Sequence, residues 1–374
     1  MTTRIVVLGG GYAGVTAADR LAPHAEVTLV NPRPEFVERI RLHQLVAGTG
    51  AATREFAGLL GEGVRLVVAG AERIDAGARR VHLTSGDTLD YDYLVYAVGS
   101  TGRAPEHAYS VAELEHAGRL RAALDALPAD APVTVVGGGL TGIEMASELA
   151  EQGRTVALVT GGTLAPSLSE RGRRAIARTL ARLGVTVLDE KVRAVTPDAV
   201  VLDGGERPSA VTIWTAGFGI PDLAARSGLR TDAAGRLLTD ETLTSVDDDR
   251  IVAAGDAAAP SGTPLRMSCQ AAGPLAMQAA NTVVSRIAGT EPAALDQAFV
   301  GSCVSLGRGA AVIQVARKDD SPRDVIVTGR AAAAIKEFVC KGTVFGLKRE
   351  ARKPGATPWL KGGAKVDRPA TMVP

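Results

Sequence analysis

IVVLGGGYAGVTAADRLA, residues 5–22, starts as a run of aliphatic residues, passes through Gly9, Gly11 and Gly14, and continues into an alanine-rich segment. VTVVGGGLTGIEMASELA, residues 133–150, repeats the pattern with Gly137, Gly139 and Gly142. Each copy reads as a strand, a tight turn and a helix. The first glycine permits the turn, the second lets backbone approach a pyrophosphate, and the third lets the helix pack on the strand, so that the helix N-terminus meets phosphate charge. Ligand-free glycine turns are the plainer alternative, but strand and helix patterns flank both turns, which favours two dinucleotide sites. A chain with two such sites can hold two nucleotides face to face.

The bulk composition fits an enzyme of moderate size. With 374 residues, 46% of them hydrophobic, the chain is long enough for two or three compact cores. Its net charge of +1 and lack of a basic patch with interleaved aromatics speak against a nucleic-acid partner. The first strand begins at Arg4, which leaves no signal-peptide pattern, and no apolar run approaches the roughly 18 residues of a membrane span. A cytoplasmic location is the expectation. Cys269, Cys303 and Cys340 are too few and too scattered for a disulfide framework, and none forms a metal-type pair, so no metal is expected.

Along the chain, strands are expected at Arg4 to Leu8, Glu26 to Val30, Arg65 to Val68, Ala78 to Leu83 and Tyr93 to Val98. Asn31-Pro32-Arg33-Pro34 breaks the pattern, and a helical stretch is expected over Phe36 to Val46. A polar linker, Thr101 to Tyr109, leads to a helix and the second unit, with strands at Thr155 to Thr160 and near Val185, Val200 and Val211, and a helix from Glu170 to Leu183. The chain then returns to the first unit near Leu237, because RIVAAGD, residues 250–256, resembles no part of a second nucleotide fold. The expected class is α/β with two Rossmann-like units, residues 110–236 inserted between 1–109 and 237–297, and a C-terminal region at 298–374.

The order GGGYAG, YDYLVYAVGS (91–100), GGGLTGIE, WTAGF (214–218) and IVAAGDAA (251–258) resembles the two-dinucleotide-binding flavoprotein, or pyridine nucleotide-disulfide oxidoreductase, superfamily. The resemblance covers nearly the whole chain. It implies FAD held by Gly9, Gly11, Tyr12, Ala13 and Gly14, with Asn31, Arg39, Gly99, Gly255 and Asp256, and NADH or NADPH held by Gly137, Gly139, Leu140, Thr141, Gly142, Thr160 and Gly217. Taken alone, Asp256 at a strand end after Gly255 is placed either to accept hydroxyl hydrogen bonds or to cap a turn. Asn31 stands where the ribose-binding carboxylate is usual, and an amide can also bind hydroxyls. Thr160 ends the corresponding strand of the second unit, where a carboxylate would repel a 2′-phosphate. Arg171, Arg173 and Arg174 follow as cations for that phosphate or as a solvated helix face, so the choice of nucleotide stays open.

Disulfide-reducing members carry two close thiols beside the flavin, and this chain has neither CxxC nor CxxxxC. No cysteine precedes Cys269, and the three present are expected to be inert buried thiols. What remains is similar to the type II NADH dehydrogenase branch: RMSCQAAGPLAMQAANTVVSRIAG (266–289) resembles the segment that sets a glutamine, here Gln270, and a helix N-terminus against the flavin. Cys269 stands where the quinone-reducing pattern has alanine, and Gly273-Pro274 changes the spacing. Helix-terminal amides aimed at a reduced flavin would stabilise its negative charge.

Glu144 is expected on the first turn of the second nucleotide helix, facing nicotinamide by the resemblance or simply favoured by the helix dipole. His43, beside Gln44 in the stretch 36–46, is a candidate proton donor or a packing residue. In RAAAAIKEFVCKGTVFGLK (330–348), Ile335, Phe338, Val339 and Phe345 fall along one helical face, with Lys336, Lys341, Lys348 and Arg349 outside it. That face is expected to dock on the flavin unit or on a second subunit as a homodimer, with a peripheral membrane contact as the alternative and Gly342 as a weak point. These features imply an FAD-dependent NAD(P)H oxidoreductase passing electrons to a quinone or another small acceptor. A biosynthetic flavoenzyme acting on one metabolite, a slow NAD(P)H sensor and an iron–sulfur protein reductase are the alternatives.

Overall fold

The residues Ile5 to Leu8 are buried without interruption, as in a strand covered on both faces, and they lie at the centre of a five-stranded parallel sheet in the computed structural model, which describes residues 2–363. Across that sheet the order is Ile251–Ala253, Tyr93–Tyr96, Arg4–Leu8, Glu26–Asn31 and Val64–Val68. A second five-stranded parallel sheet runs Ala108–Ser110, Val211–Trp214, Val133–Val136, Val156–Val159 and Thr186–Leu188. In both, the strand that precedes the glycine turn is central, so the sequence repeat is a repeat of topology. The fold is the two-unit Rossmann-like α/β class.

The second sheet is complete before Ile251–Ala253 returns to pair with Tyr93–Tyr96, so the second unit is inserted in the first. The exit and return strands, Thr101–Gly102 and Phe218–Gly219, pair antiparallel. The stretch read as a linker thus contains one crossover strand and, at Ala108–Ser110, an edge strand of the second sheet. Eight α-helices complete the described residues: α1 (Tyr12–Leu21), α2 (Leu42–Ala47), α3 (Leu114–Asp125), α4 (Leu140–Glu151), α5 (Glu170–Arg182), α6 (Leu223–Arg226), α7 (Cys269–Ile287) and α8 (Gly329–Arg352).

Two expectations are corrected. The stretch 36–46 is not one helix: Phe36 sits in the strand Glu35–Val37 paired with Thr53–Glu55, a 3-10 turn spans Arg39–Arg41, and α2 starts only at Leu42. Tertiary packing decides this, because Phe36 is fully buried edge-on between Tyr12 and Phe56, at centroid distances of 5.1 and 6.3 Å. The second correction concerns α8, which runs through Gly342 without a break. It docks through Ala332, Lys336, Cys340, Val344 and Leu347, whereas Phe338 and Phe345 remain 77% and 66% exposed. The buried stripe thus includes Lys336, which was expected to lie outside the docked face, and leaves out all four residues expected to form it. Its far end is pinned by an ion pair between Arg20 of α1 and the buried Glu350, 3.0 Å apart. Residues 364–374 of the expected C-terminal region lie outside those described.

Candidate active site

Both glycine turns are held by close backbone approach. A Cβ built on Gly14 would stand 1.7 Å from the Gly9 carbonyl oxygen, and one on Gly142 would stand 2.0 Å from that of Gly137. Gly9 and Gly137 adopt φ of +100° and +126°, values that side chains rarely tolerate. By contrast, a Cβ on Gly11 or Gly139 would meet no atom within 4 Å, so each helix head opens onto free space where a pyrophosphate can approach the amides. This is the shape a dinucleotide needs, and the first loop opens into a cavity of about 1110 Å³, larger than the roughly 300–1,000 Å³ of an ordinary ligand site.

Of the residues singled out from sequence, Gly9, Gly11, Tyr12, Ala13, Asn31, Arg39, Gly99, Gly255, Asp256, Leu140, Thr141, Glu144, His43 and Gln270 line that cavity. Gly14, Gly137, Gly139, Gly142, Thr160 and Gly217 do not. The side chain of Asn31 is engaged within the protein: its Oδ1 accepts from Gly10 N at 2.9 Å and its Nδ2 donates to Arg33 O at 2.7 Å, which fastens the glycine loop to the strand beneath it. Asp256 accepts from Ser100 Oγ at 2.7 Å, and Arg39 donates to the same Ser100 at 2.9 Å and lies 3.7 Å from Asp256. This hydroxyl, carboxylate and guanidinium form one polar corner of the cavity. Thr160 turns its Oγ1 to Gly162 O at 2.6 Å. Arg174 pairs with Glu170 at 2.8 Å on the exposed side of α5.

The chemistry gathers at the other end, where four elements converge. Glu144 is the fifth residue of α4 and lies beyond its first turn, so the dipole reading does not hold. Its partner is Lys336 of α8, whose Nζ donates to Oε1 in a buried ion pair. Ser305, on the strand Gly301–Ser305, donates to the same oxygen through its amide at 3.0 Å and its hydroxyl at 3.2 Å. His43 of α2 places Nδ1 3.8 Å from Glu144 Oε2 and Nε2 3.5 Å from Ser305 Oγ. Burial opposes ionisation of both partners, yet Lys336 holds the Glu144 carboxyl below its usual range and Glu144 holds the Lys336 ammonium above its own. Burial pushes His43 down to about 4, against the pull of Glu144 and with the repulsion of Lys336, so the ring is neutral near pH 7.

That neutrality carries a signed prediction. Unfolded His43 takes up a proton near 6.5 and folded His43 only near 4, so the folded state loses stability as pH falls through that window. The loss is at most about 3 kcal/mol. In thermal melts, His43→Gln should show a shallower fall of Tm between these pH values than the parent, and an unchanged slope would refute the neutral buried ring.

Lys336 was not singled out from the sequence as a site residue. Its only signal is position, four residues from Ala332 and from Cys340 on the docked stripe. Gln270, second in α7, accepts from Arg266 Nη2 at 3.3 Å, and α7 begins with Ser268 as its N-cap, the hydroxyl accepting from Ala271 N at 3.2 Å. The head of α7 lines the cavity through Ser268, Cys269, Gln270 and Ala272. Cys269, Cys303 and Cys340 also line the cavity, and only Cys340 is fully buried.

The sequence model of the pyridine nucleotide-disulphide oxidoreductase family matches residues 3–281. The chain is 32% identical to an NADH dehydrogenase-like protein of Mycobacterium tuberculosis over 90% of its own length and 93% of the relative's. It is 30% identical to the demethylphylloquinone reductase of Synechocystis over 68% of this chain and 72% of that one. Among solved structures it resembles NDH2 of Plasmodium falciparum in complex with NADH, with a TM-score of 0.79 at 16% identity, over 96% of this chain and all of that one. The chain therefore belongs to the pyridine nucleotide-disulphide oxidoreductase family and is an enzyme of that flavoprotein superfamily.

Proposed function

We propose that this NAD(P)H oxidoreductase is FAD-dependent and delivers its electrons to a quinone. The observation that carries the reading is the cavity itself, lined at one end by the first glycine loop and at the other by Leu140 and Thr141 at the head of the second nucleotide helix and by Glu144 one turn further on. The first glycine loop and the helix that follows the second one thus border one space, while Gly137, Gly139 and Gly142 lie outside its lining. The names of the relatives, an NADH dehydrogenase-like protein and a quinone reductase, support the same donor and acceptor.

FAD, when bound, would supply the two-electron chemistry between nicotinamide and acceptor. Gly9, Gly11 and the amides of α1 would hold its pyrophosphate, and Asp256 with Arg39 would take its polar chain. Gly137, Gly139 and Gly142, with Thr160 and Gly217 nearby, would hold the nicotinamide nucleotide. The head of α7, with Gln270, presents amide donors toward developing negative charge. Glu144 orients the Lys336 ammonium, which lines the cavity and keeps its proton on Nζ, as a donor to an acceptor oxygen. His43, neutral, packs this pair and excludes water from it.

The decisive experiment follows the flavin spectrum without oxygen. NADH or NADPH should bleach it, and a menaquinone or ubiquinone analogue should restore it at the turnover rate. A flavin that ignores both nucleotides would overturn the proposal.

The same reading includes a peripheral membrane contact. Ile335 and Val339 line the cavity and are each 42% exposed, and with Phe338 and Phe345 they form an apolar face flanked by exposed Lys341 and Lys348. No described helix is long and apolar enough to cross a membrane. The protein should sediment with anionic lipid vesicles, and Phe338→Ser/Phe345→Ser should not; equal partition of the two would exclude this face as the contact.

A further inference from the structure

The last described stretch, residues 353–363, leaves α8 and folds back as a strap on the end of that helix. Glu350, only 1% exposed, holds it there: Oε1 accepts from Gly355 N at 2.7 Å and Oε2 from Thr357 N at 3.2 Å. Arg20 of α1 completes the junction. It donates to Glu350 at 3.0 Å and to Asn281 of α7 at 2.9 Å, and its guanidinium lies over the ring of Trp359 at 5.8 Å. Farther along, Trp359 Nε1 donates to Asp296 O at 2.8 Å, Gly362 N donates to Asp296 Oδ1 at 2.7 Å, and Leu360 O accepts from Ala298 N at 2.9 Å. Between those anchors Gln297 Nε2 donates to the carbonyl of Gln270, a cavity-lining residue, at 3.5 Å. The strap thus holds the segment that touches the head of α7.

Asp19 lies beside this junction and is fully buried. Its Oδ1 accepts from Gly61 N at 2.8 Å, and its Oδ2 has no hydrogen-bond partner among the described residues. Gly61 in turn presses on α8: a Cβ built there would stand 2.8 Å from the Ala351 carbonyl oxygen. One carboxyl therefore reaches the residue next to Glu350 through a single tight loop contact. The charges around it do not favour its ionisation. From α8 comes the Glu350 carboxylate, from α1 Arg20, already paired with Glu350, from α7 the neutral Asn281, and from the strap Lys361, whose Nζ lies 4.8 Å from the centre of the Trp359 ring. Glu62, next to Gly61 in the loop, is exposed. Burial pushes the Asp19 carboxyl up to about 7, against the donation from Gly61, and Glu350 pushes it further in the same direction. An unpartnered buried oxygen is tolerated here on a neutral acid and is opposed on an anion.

We propose that Asp19 is a proton-operated latch for the strap: its carboxylic acid lets α8 and residues 353–363 close on α1, and its carboxylate loosens them. The sign follows from linkage. In the closed state the acid keeps its proton up to about 7, whereas in an opened state, with water at Oδ2, it releases the proton near the ordinary 3.8. Closure is therefore strongest in acid and weakens as pH rises through that interval. Opening parts Glu350 from the strap amides and parts residues 296–298 from Trp359 and Leu360, so the contact of Gln297 with Gln270 loses its support. The cavity wall at the head of α7 is the part of the site that the latch controls.

Hydrogen–deuterium exchange of the full chain tests this, read by mass spectrometry on peptides covering 296–299 and 353–363 and corrected for the intrinsic rate at each pH. Between about pH 5 and about pH 8 the protection of these peptides should fall roughly tenfold or more in wild type. Peptides from the strand Val133–Val136 in the second unit should keep theirs. Asp19→Asn, which retains an acceptor for Gly61 and cannot ionise, should hold the strap equally well across the range. If that variant does not fold, Asp19→Ala should give the level profile in its place. A smaller fall in wild type, a variant profile that matches wild type, or an equal loss in Val133–Val136 would each overturn the latch. The readout uses neither a nicotinamide nucleotide nor a quinone, so it succeeds or fails independently of the proposed reductase activity.

Discussion

Gly14→Val should yield a chain that purifies without flavin and melts far below the parent, whereas Gly11→Ala should fold normally yet lose flavin. The first half of this contrast follows from covalent geometry. The Cβ position of Gly14 is 1.7 Å from the Gly9 carbonyl oxygen, which is backbone and has no rotamer to move into. Relieving the clash means separating α1 from the loop that it packs against, and α1 carries Ala13, Val15, Ala17, Ala18 and Leu21 into the main core with α7. Single substitutions that exceed about 4 kcal/mol arise from forced overpacking of this kind. The second half isolates the ligand. Gly11 has nothing within 4 Å of its Cβ position, so alanine there disturbs no protein atom and fills only the space offered to a pyrophosphate. Absorbance of the purified proteins near the flavin bands, beside their melting curves, separates the two effects. If Gly11→Ala keeps full flavin occupancy, the cofactor does not lie against this loop.

The glycine turns, the two parallel sheets and the insertion of one unit into the other were legible because each rests on local information. Backbone approach at Gly14 and Gly142 has a residue-level signature, and buried strands read as unbroken aliphatic runs such as Ile5 to Leu8. Asp256 could be named for the same reason, since it belongs to an ordered motif, and Arg39 came from the stretch 36–46; Ser100 ends the motif 91–100, but its role in joining the two depends on tertiary structure. The stretch 36–46 failed because a ring packed between Tyr12 and Phe56 outweighs helical periodicity. The face of α8 failed for a more instructive reason. Periodicity assigns the apolar stripe inward on the premise that a lysine belongs in water. That premise ends where a buried carboxylate waits for the lysine, and nothing between residues 144 and 336 of a single sequence links the two positions. Glu144 was picked out as a site residue, but its partner depends on tertiary structure alone.

Lys336→Met should be the most destabilising single change at the site that leaves the backbone untouched, and its effect should grow with pH. In the parent, burial disfavours the charged forms of both Glu144 and Lys336, and each is kept ionised chiefly by the other. Removing the cation leaves a buried carboxylate with Ser305 as donor and a neutral His43 that adds no charge. Breaking a buried pair in this way costs about 3–5 kcal/mol. The sign with pH follows from linkage: without Lys336, burial raises the folded-state pKa of Glu144 above its ordinary 4.5. The folded variant then binds a proton that the unfolded chain has already released, so its deficit relative to the parent is small in acid and widens as pH rises through 4.5 and beyond. Glu144→Gln/Lys336→Met should recover much of the loss at neutral pH, because a neutral amide keeps the shape without the charge. Denaturant titrations of the parent, the single and the double variant across that range measure the coupling directly. A deficit that stays flat with pH, or a double variant no more stable than the single one, would show that Lys336 acts by packing α8 rather than by neutralising Glu144.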